Sequence, residues 1–240
     1  MRSFLFVILG IFLIVSCESN PEVVPDDGWE YFPLQVGAYQ IYSVEETIIQ
    51  QSKEQKLSYE LMHKLIDSAM NLEGEYSFTI QRQIRNNATL PWQLIDSWTS
   101  RLSGRQAIVK EGNTSYVKIT FPTIVGLEWN GNGYNTLGGD QSCGENKDQA
   151  CDVYMLSSLG DEFALSNGLT FAETLTIIQN ENTDLIVKQD VRKEVYAKNI
   201  GLVYKESVVL EYCTSSNCLG EQKVDKGLKY KQTIKEYGSE

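Results

Sequence analysis

The sequence of 240 residues contains only one histidine, His63, and this scarcity limits the chemistry open to the protein. Serine-hydrolase triads and zinc proteases need histidine within defined arrangements, and no G-x-S-x-G, H-E-x-x-H or P-loop pattern occurs. His63 lies among apolar residues, so we expect a packed or surface histidine rather than a catalyst. An enzyme is not favoured, although a hydrolase using two of the 32 acidic residues stays open.

Basic residues are also few, and their shortage excludes whole classes of partner. The chain has 21 Lys and Arg against 32 Asp and Glu, a formal net charge of −11. Nucleic acids and anionic phospholipid surfaces both need a basic face, so neither is expected as the main partner. Glycines at positions 131, 133, 138 and 139 have the wrong spacing, and no βαβ context, for a dinucleotide site. No cofactor is predicted.

Long apolar runs are absent except near the start of the chain, where residues 4–15 (FLFVILGIFLIV) are uninterrupted. As a helix this run would span about 18 Å, against roughly 30 Å of bilayer hydrocarbon. It therefore fits a secretory signal peptide better than a membrane span. Residues 14–17 (IVSC) then resemble the lipobox of bacterial lipoproteins.

The lipobox resemblance implies a defined modification of Cys17. The thiol would receive a diacylglycerol, the chain would be cut before Cys17, and the new amine would be acylated, with palmitate as a typical acyl chain. Several acyl chains would make a nearly permanent membrane anchor. We expect a signal peptide over residues 1–16, a flexible tether over 17–28 and a single β domain over 29–240.

The remaining four cysteines agree with export. They form two close pairs, Cys143 with Cys151 and Cys213 with Cys218, and an even count in a secreted chain predicts two disulfides. Pairing of neighbours is the simplest pattern, but crossed connectivities stay open. The spacings are not those of a zinc site, so no metal is predicted from the cysteines.

Alternation with a period of two dominates the rest of the sequence. Residues 75–85 place Phe78, Ile80 and Ile84 on one face, and residues 115–121 place Val117, Ile119 and Phe121 inward. Residues 184–198 place Leu185, Val187, Val191 and Val195 inward, with Lys188, Asp190, Arg192 and Glu194 in solvent. Residues 55–70 fit either a helix or a strand, and a strand is favoured. These patterns predict an all-β fold, in which a long-stranded antiparallel meander forms a strongly curved sheet or partly closed barrel.

Two sets of residues are candidates for binding. The loop over 129–152 is glycine-rich and acidic and supplies oxygen ligands of the kind that Ca²⁺ takes; they are Asp140, Glu145, Asp148 and Asp152. A solvated loop is the simpler interpretation. Tryptophans of exported proteins stack on sugars, although core packing is the commoner role; they are Trp29, Trp92, Trp98 and Trp129.

Three blocks resemble a family of uncharacterised Bacteroidota-type lipoproteins: residues 31–37 (YFPLQVG), 129–135 (WNGNGYN) and 194–206 (EVYAKNIGLVYKE). Tyr39 stands where that family has tryptophan. The resemblance implies an envelope lipoprotein and no particular activity. Residues 67–69 (DSA) also resemble an O-glycosylation acceptor of the same bacteria, which makes Ser68 a candidate acceptor. Acidic residues that follow Cys17 resemble a surface-export signal, so we expect outer-membrane attachment with the face left open.

Three functions compete on this evidence. The favoured one is a non-catalytic binding or structural module. Its own lipid anchors it to the membrane, and it binds another envelope component, either a protein or a lipid. The alternatives are a glycan-binding accessory lipoprotein and, with less support, a hydrolase.

Overall fold

The computed structural model describes residues 27–72, 74–137 and 152–240. In these parts a short 3₁₀ helix, Trp29–Tyr31, precedes twelve strands. The strands are β1 (Ala38–Gln50), β2 (Lys53–Met70), β3 (Tyr76–Arg85), β4 (Gln93–Ser103), β5 (Gln106–Glu111), β6 (Thr114–Thr120), β7 (Glu128–Asn130), β8 (Val153–Ala164), β9 (Thr170–Asn182), β10 (Lys188–Ala197), β11 (Gly201–Tyr212) and β12 (Val224–Ser239). The ambiguous segment 55–70 lies within strand β2, so the favoured prediction is confirmed.

All twelve strands belong to one antiparallel sheet, ordered β6-β5-β4-β3-β2-β1-β12-β11-β10-β9-β8-β7. Each half of the chain forms a meander, and β1 joins the halves by pairing with β12, from Ala38 opposite Ser239 to Ile49 opposite Gly227. The sheet curls into a nearly closed barrel, which confirms the predicted all-β meander and its partly closed form.

The edge strands β6 and β7 meet along the seam of the barrel. The backbone N–H of Val117 donates to the carbonyl of Gly131 at 2.9 Å. The indole N–H of Trp129 donates to the carbonyl of Val117, also at 2.9 Å. These bonds satisfy backbone groups that an edge strand would otherwise leave unpaired.

An apolar cluster fills the part of the interior next to the seam, and it includes Ile119, Trp129, Tyr154, Leu156 and Ile177. The segment before β1 packs against this cluster at one end of the barrel. Trp29 stacks on Phe121 with ring centroids 3.9 Å apart, and Phe32 lies 6.3 Å from Tyr196. Aromatic pairs at such distances add stability beyond the area they bury.

The predicted faces of residues 184–198 are wrong in part. Val195 is buried and Lys188 is exposed, as predicted, but other positions differ. Leu185 and Val187 precede β10 and are exposed, whereas Glu194, assigned to solvent, is 1% exposed inside the barrel. Alternation shows which residues share a face, but it does not show that the polar face meets water, because a barrel interior can itself be polar.

No helix within the described parts of the chain is both long and apolar enough to cross a membrane.

Candidate functional site

A cavity of about 360 Å³ that is partly open to solvent lies in the barrel beside the apolar cluster, and it is here called the interior cavity. This volume lies within the range of about 300–1,000 Å³ that is usual for small-molecule sites. Its walls come mainly from β1 to β6 and β10 to β12, with the segment before β1 at one end. The apolar part of the lining consists of Phe32, Pro33, Leu34, Leu65, Ile80, Trp98, Val109, Leu202 and Leu228.

Four charged side chains at one wall of the cavity form a cluster, here called the interior ionic cluster. They are Glu111, Lys118, Glu194 and Lys205. Lys118 Nζ lies 2.7 Å from Glu111 Oε1 and 3.0 Å from Glu194 Oε1. Lys205 Nζ lies 3.2 Å from the same oxygen of Glu194. The two cations and two carboxylates balance one another, so the cluster presents no net charge to the cavity.

Burial and pairing act in opposite directions on the pKa values of Glu194 and Lys118. Burial alone would raise the pKa of Glu194, but Lys118, Lys205 and the hydroxyl of Tyr196, 2.6 Å from Glu194 Oε2, lower it to about 2. Burial would lower the pKa of Lys118, but Glu111 and Glu194 hold it well above its usual value. The charged forms of these groups are therefore the stable ones over the physiological range.

A β-bulge places one of these groups, and regular strand pairing places two others. On β6, Ile119 lies opposite Ala107 and Val117 opposite Ile108, which leaves Lys118 as the extra residue of a β-bulge. Lys118 is 5% exposed, and its neighbours in the chain, Val117 and Ile119, are buried as well. Glu194 lies directly opposite Lys205 in the β10–β11 pairing, so their ion pair is a cross-strand contact.

A second polar row consists of His63 on β2, Arg82 on β3 and Asp96 on β4. Arg82 Nε donates to His63 Nε2 at 3.1 Å, and Arg82 also pairs with Asp96 at 2.8 Å. The guanidinium lies 3.8 Å from the ring centre of Trp98. Burial, helped by the nearby charge of Arg82, lowers the pKa of His63 to about 3, so the imidazole is neutral and accepts the hydrogen bond.

Tyrosine hydroxyls complete the polar lining. Tyr42 OH lies 2.8 Å from Gln40 Oε1 and 3.0 Å from the carbonyl of Leu202. Tyr59 OH donates to Glu46 at 3.2 Å. Tyr230 OH donates to Gln232 Oε1 at 2.7 Å. Their aromatic rings supply apolar surface to the cavity, while their hydroxyls are held by the protein.

This arrangement suits binding better than proton transfer. A general acid at neutral pH needs a carboxyl whose pKa is raised, whereas Glu194 and Glu111 have lowered pKa values and are held in ion pairs. His63 is unsuited to act as a general base near neutral pH, because it is buried against Arg82 and its pKa is lowered to about 3. Among the described residues, the cavity is therefore a pocket whose charged groups are held in fixed pairs.

The structure separates the four candidate tryptophans. Trp98 lines the interior cavity, Trp129 is buried in the apolar cluster, and Trp29 packs on Phe121. Trp92 lies outside this lining, with the guanidinium of Arg85 4.2 Å from its ring centre. They do not form one stacking platform.

Several other predicted site residues lie outside the described residues. They are the lipidation candidate Cys17, the disulfide candidates Cys143 and Cys151, and the calcium candidates Asp140, Glu145 and Asp148. The fourth calcium candidate, Asp152, pairs with Arg192 at 2.5 Å. Within the described ranges, no group of three or more histidine, cysteine or acidic side chains is arranged to hold a metal.

The other two predicted features fall on described residues. Cys213 and Cys218 form a disulfide with Cα atoms 5.8 Å apart, closing the loop between β11 and β12. Ser68 lies near the end of β2, partly buried, and its backbone N–H donates to the carboxylate of Asp67 at 2.8 Å.

No family model matches the chain, and no curated protein matches it significantly. Among solved structures, a protein of Bacteroides fragilis NCTC 9343 that is provisionally described as exported, with a YmcC-like fold, is similar at TM-score 0.42 and 10% identity. A provisionally described lipoprotein of Parabacteroides distasonis ATCC 8503 is similar at TM-score 0.39 and 10% identity. Each comparison covers 87% of this chain and 98% of the other. Likeness at this level carries nothing about ligand or activity.

The sequence did not indicate the residues that line the cavity as a site. Lys118 sits between Val117 and Ile119, and Glu194 follows two basic residues, in strand patterns where a charge normally marks the solvent face. Two signals were usable: Trp98, which was a binding candidate and lines the cavity, and the row of Tyr59, Leu61, His63 and Leu65, which alternation placed on one strand face. Tyr59, His63 and Leu65 of that row line the cavity.

Proposed function

We propose that the protein is a lipid-anchored lipoprotein of the bacterial envelope whose barrel interior binds a small molecule without catalysis. The outer membrane is the proposed location, on either its periplasmic or its exposed face. The lipid on Cys17 links the protein to the membrane, and the β domain serves as the binding module. An envelope protein or glycan is a further partner in this proposal.

The interior cavity is the observation that carries the binding function. A barrel of twelve strands is wider than the barrels of about eight strands that side chains fill, and its interior leaves a volume of about 360 Å³. This volume is lined by aromatic rings beside fixed polar groups, the usual composition of a small-molecule site. Sugar stacking receives less support because the four tryptophans lie apart.

A fluorescent probe tests whether the cavity binds. The neutral apolar dye N-phenyl-1-naphthylamine should bind wild-type protein one to one, with a rise in fluorescence. Leu228→Trp replaces an aliphatic side chain of the cavity lining with a larger indole ring and should weaken dye binding at least tenfold. The matched control, Lys229→Trp, puts the same ring on the exposed neighbouring position of β12 and should leave binding unchanged. Equal binding by both variants would place the dye outside the cavity and remove the main support for this function.

The anchor is tested separately in a bacterial host that processes lipoproteins. Wild-type protein should incorporate labelled palmitate and sediment with membranes. Cys17→Ser should take up no label, because the thiol is the acceptor, and Ser16→Ala serves as the matched control that keeps the small residue before the cysteine. Wild-type protein without label in such a host would contradict the lipoprotein assignment and leave the cavity experiment untouched.

A further inference from the structure

The described chain enters the barrel at one end, here called the tethered end, where odd-numbered strands begin and even-numbered strands end. The carbonyl of Asp27 accepts from the backbone N–H of Thr123 at 3.2 Å, and the carbonyl of Glu30 accepts from that of Asn199 at 2.7 Å. Thr123 follows the end of β6, and Asn199 lies between β10 and β11. Asp27, the first described residue, is therefore held at the tethered end.

Apolar side chains are exposed around the tethered end, and together they are here called the apolar rim. Leu72, in the turn between β2 and β3, is fully exposed, and Met70 and Tyr76 on either side of it are more than half exposed. Ile124 and Val125, which directly follow the residue that holds Asp27, are also more than half exposed. Exposed apolar surface of this kind marks a site of contact with a protein or a membrane when it is continuous.

An open groove of about 480 Å³ connects the two parts of the apolar rim. The groove lies between the segment before β1 and the β2–β3 turn, and Tyr76 lines it together with Trp29. Trp29 in turn stacks on Phe121, three residues before Ile124, with ring centroids 3.9 Å apart. The apolar surface therefore continues across the tethered end from the β2–β3 turn to Ile124.

The length of chain before Asp27 indicates what covers the apolar rim. Cys17, the proposed lipid attachment site, precedes Asp27 by ten residues, which reach at most about 36 Å when fully extended. Strand β1 has 13 residues and runs about 43 Å from the tethered end toward the other. A lipid on Cys17 therefore keeps the apolar rim nearer to the membrane than exposed apolar residues at the opposite end, such as Ile186 and Leu219.

The charges indicate that the contact with the membrane is apolar. The chain has a formal net charge of −11, which gives no attraction to anionic lipid. Two basic side chains near the rim are already paired, Arg101 with Glu75 at 3.7 Å and Lys198 with Glu30 at 2.9 Å. Burial of apolar side chains in the bilayer interface does not need a basic surface.

Resting on the proposed lipid anchor, we infer that the apolar rim lies in the interfacial region of the phospholipid bilayer that holds the anchor. Leu72, in an exposed turn, enters the bilayer. Trp29 and Tyr76 lie at the level of the headgroups, where rings with an apolar body and a polar tip are favoured. The barrel therefore stands on the membrane on its tethered end, and its opposite end points away.

Quenching by brominated phospholipid tests which end touches the bilayer. Lipidated protein is reconstituted into phosphatidylcholine vesicles, with and without bromine on the acyl chains. Leu72→Trp adds an indole to the apolar rim, and the matched control, Leu219→Trp, adds one in the exposed loop between β11 and β12 at the opposite end. Bromine should quench about half or more of the fluorescence added by Leu72→Trp, because the indole lies in the interface, and about a tenth or less of that added by Leu219→Trp. Equal quenching of the two would overturn the inference.

A second pair of variants tests whether apolar contact holds the tethered end on the bilayer. In protein that carries Leu72→Trp, Ile124→Glu adds a carboxylate to the rim, which is costly to move out of water. It should reduce the quenching by about twofold or more. The matched control, Ile186→Glu, changes an equally exposed isoleucine at the opposite end and should leave the quenching unchanged. Quenching that is insensitive to Ile124→Glu would overturn apolar docking.

The outcomes separate this inference from the proposed function. Lipidated protein that sediments with the vesicles but shows no quenching of the added indole would overturn docking and leave the anchor in place. Protein that carries no lipid and does not sediment would overturn the anchor, and this inference with it. Cross-linked dimers on the vesicles that Leu72→Glu abolishes would assign the apolar rim to a second copy of the chain and overturn its contact with lipid.

Discussion

At the scale of single residues, stability depends on charges that are buried in pairs. Glu194 is 1% exposed and receives two lysines and one tyrosine hydroxyl. Pairs of this kind gain little over apolar packing, but removal of one partner leaves the other as an uncompensated buried charge. The interior ionic cluster is therefore the most sensitive polar feature of the described structure.

Replacement of this carboxylate should be costly. Glu194→Gln should lower the free energy of unfolding by about 3–5 kcal/mol, because Lys118 would keep only Glu111 as a counter-charge. Urea denaturation measures the loss. The matched control, Glu54→Gln, removes the carboxylate of an exposed ion pair, Lys56 with Glu54 at 3.4 Å, and should cost less than about 1 kcal/mol. Equal losses in the two variants would show that the cluster is not held as described.

The one histidine gives a clean pH probe. The pKa of His63 is lowered to about 3 in the folded protein, below the ordinary value of 6.5. Its C–H proton signals in NMR spectra should therefore stay constant between pH 8 and pH 5. On lowering the pH, the unfolded chain binds the proton before the folded protein does. The neutral imidazole therefore makes its full contribution to the free energy of unfolding above pH 6.5. This contribution is lost as the pH falls toward 3, by about 1.4 kcal/mol for each pH unit.

The control for this prediction is His63→Gln, which keeps an acceptor for Arg82 but cannot titrate. Over the range from pH 6.5 to 5, the free energy of unfolding of the variant should fall less steeply than that of wild-type protein. Signals that titrate near pH 6.5 in the folded protein would mean that the imidazole is not buried against Arg82.

At the scale of elements, the seam between β6 and β7 depends on close packing at one glycine. A Cβ added to Gly131 would lie 2.7 Å from Cδ1 of Tyr154, and nearer still to other atoms of that buried ring. Gly131→Ala should therefore destabilise the protein by about 1–3 kcal/mol through overpacking. Gly133→Ala, whose nearest neighbour would be 3.4 Å away, should change the stability by less than about 0.5 kcal/mol. Urea denaturation of the two variants compares them, and equal stabilities would contradict the packing of the seam.

The elements also show how far the sequence could lead. Alternation correctly assigned 55–70 to a strand, because Tyr59, Leu61 and His63 share one face. It could not predict that Lys118 faces the interior, since a one-residue bulge shifts the register of β6 and has no reliable signature in the amino-acid sequence. It also misplaced Glu194, because a polar face predicts solvent in an open sheet but not in a barrel.

At the scale of the whole molecule, hairpin neighbours were predictable and the long-range closure was not. Turn signals between successive strands imply a meander, but the pairing of β1 with β12 joins residues about as far apart as the domain allows. Only that pairing and the seam create an interior, so the cavity and its lining could not be inferred from local patterns. Lys118 on β6 and Glu194 on β10 become neighbours at one cavity through this closure alone.

The most direct measurement is a crystal structure with a bromine-labelled ligand. Co-crystals with the glycerol ester of 10-bromodecanoic acid should give one strong anomalous bromine peak inside the barrel. Bromine peaks confined to the outer surface, with no ester in the interior, would contradict the central claim that the barrel interior is a binding site.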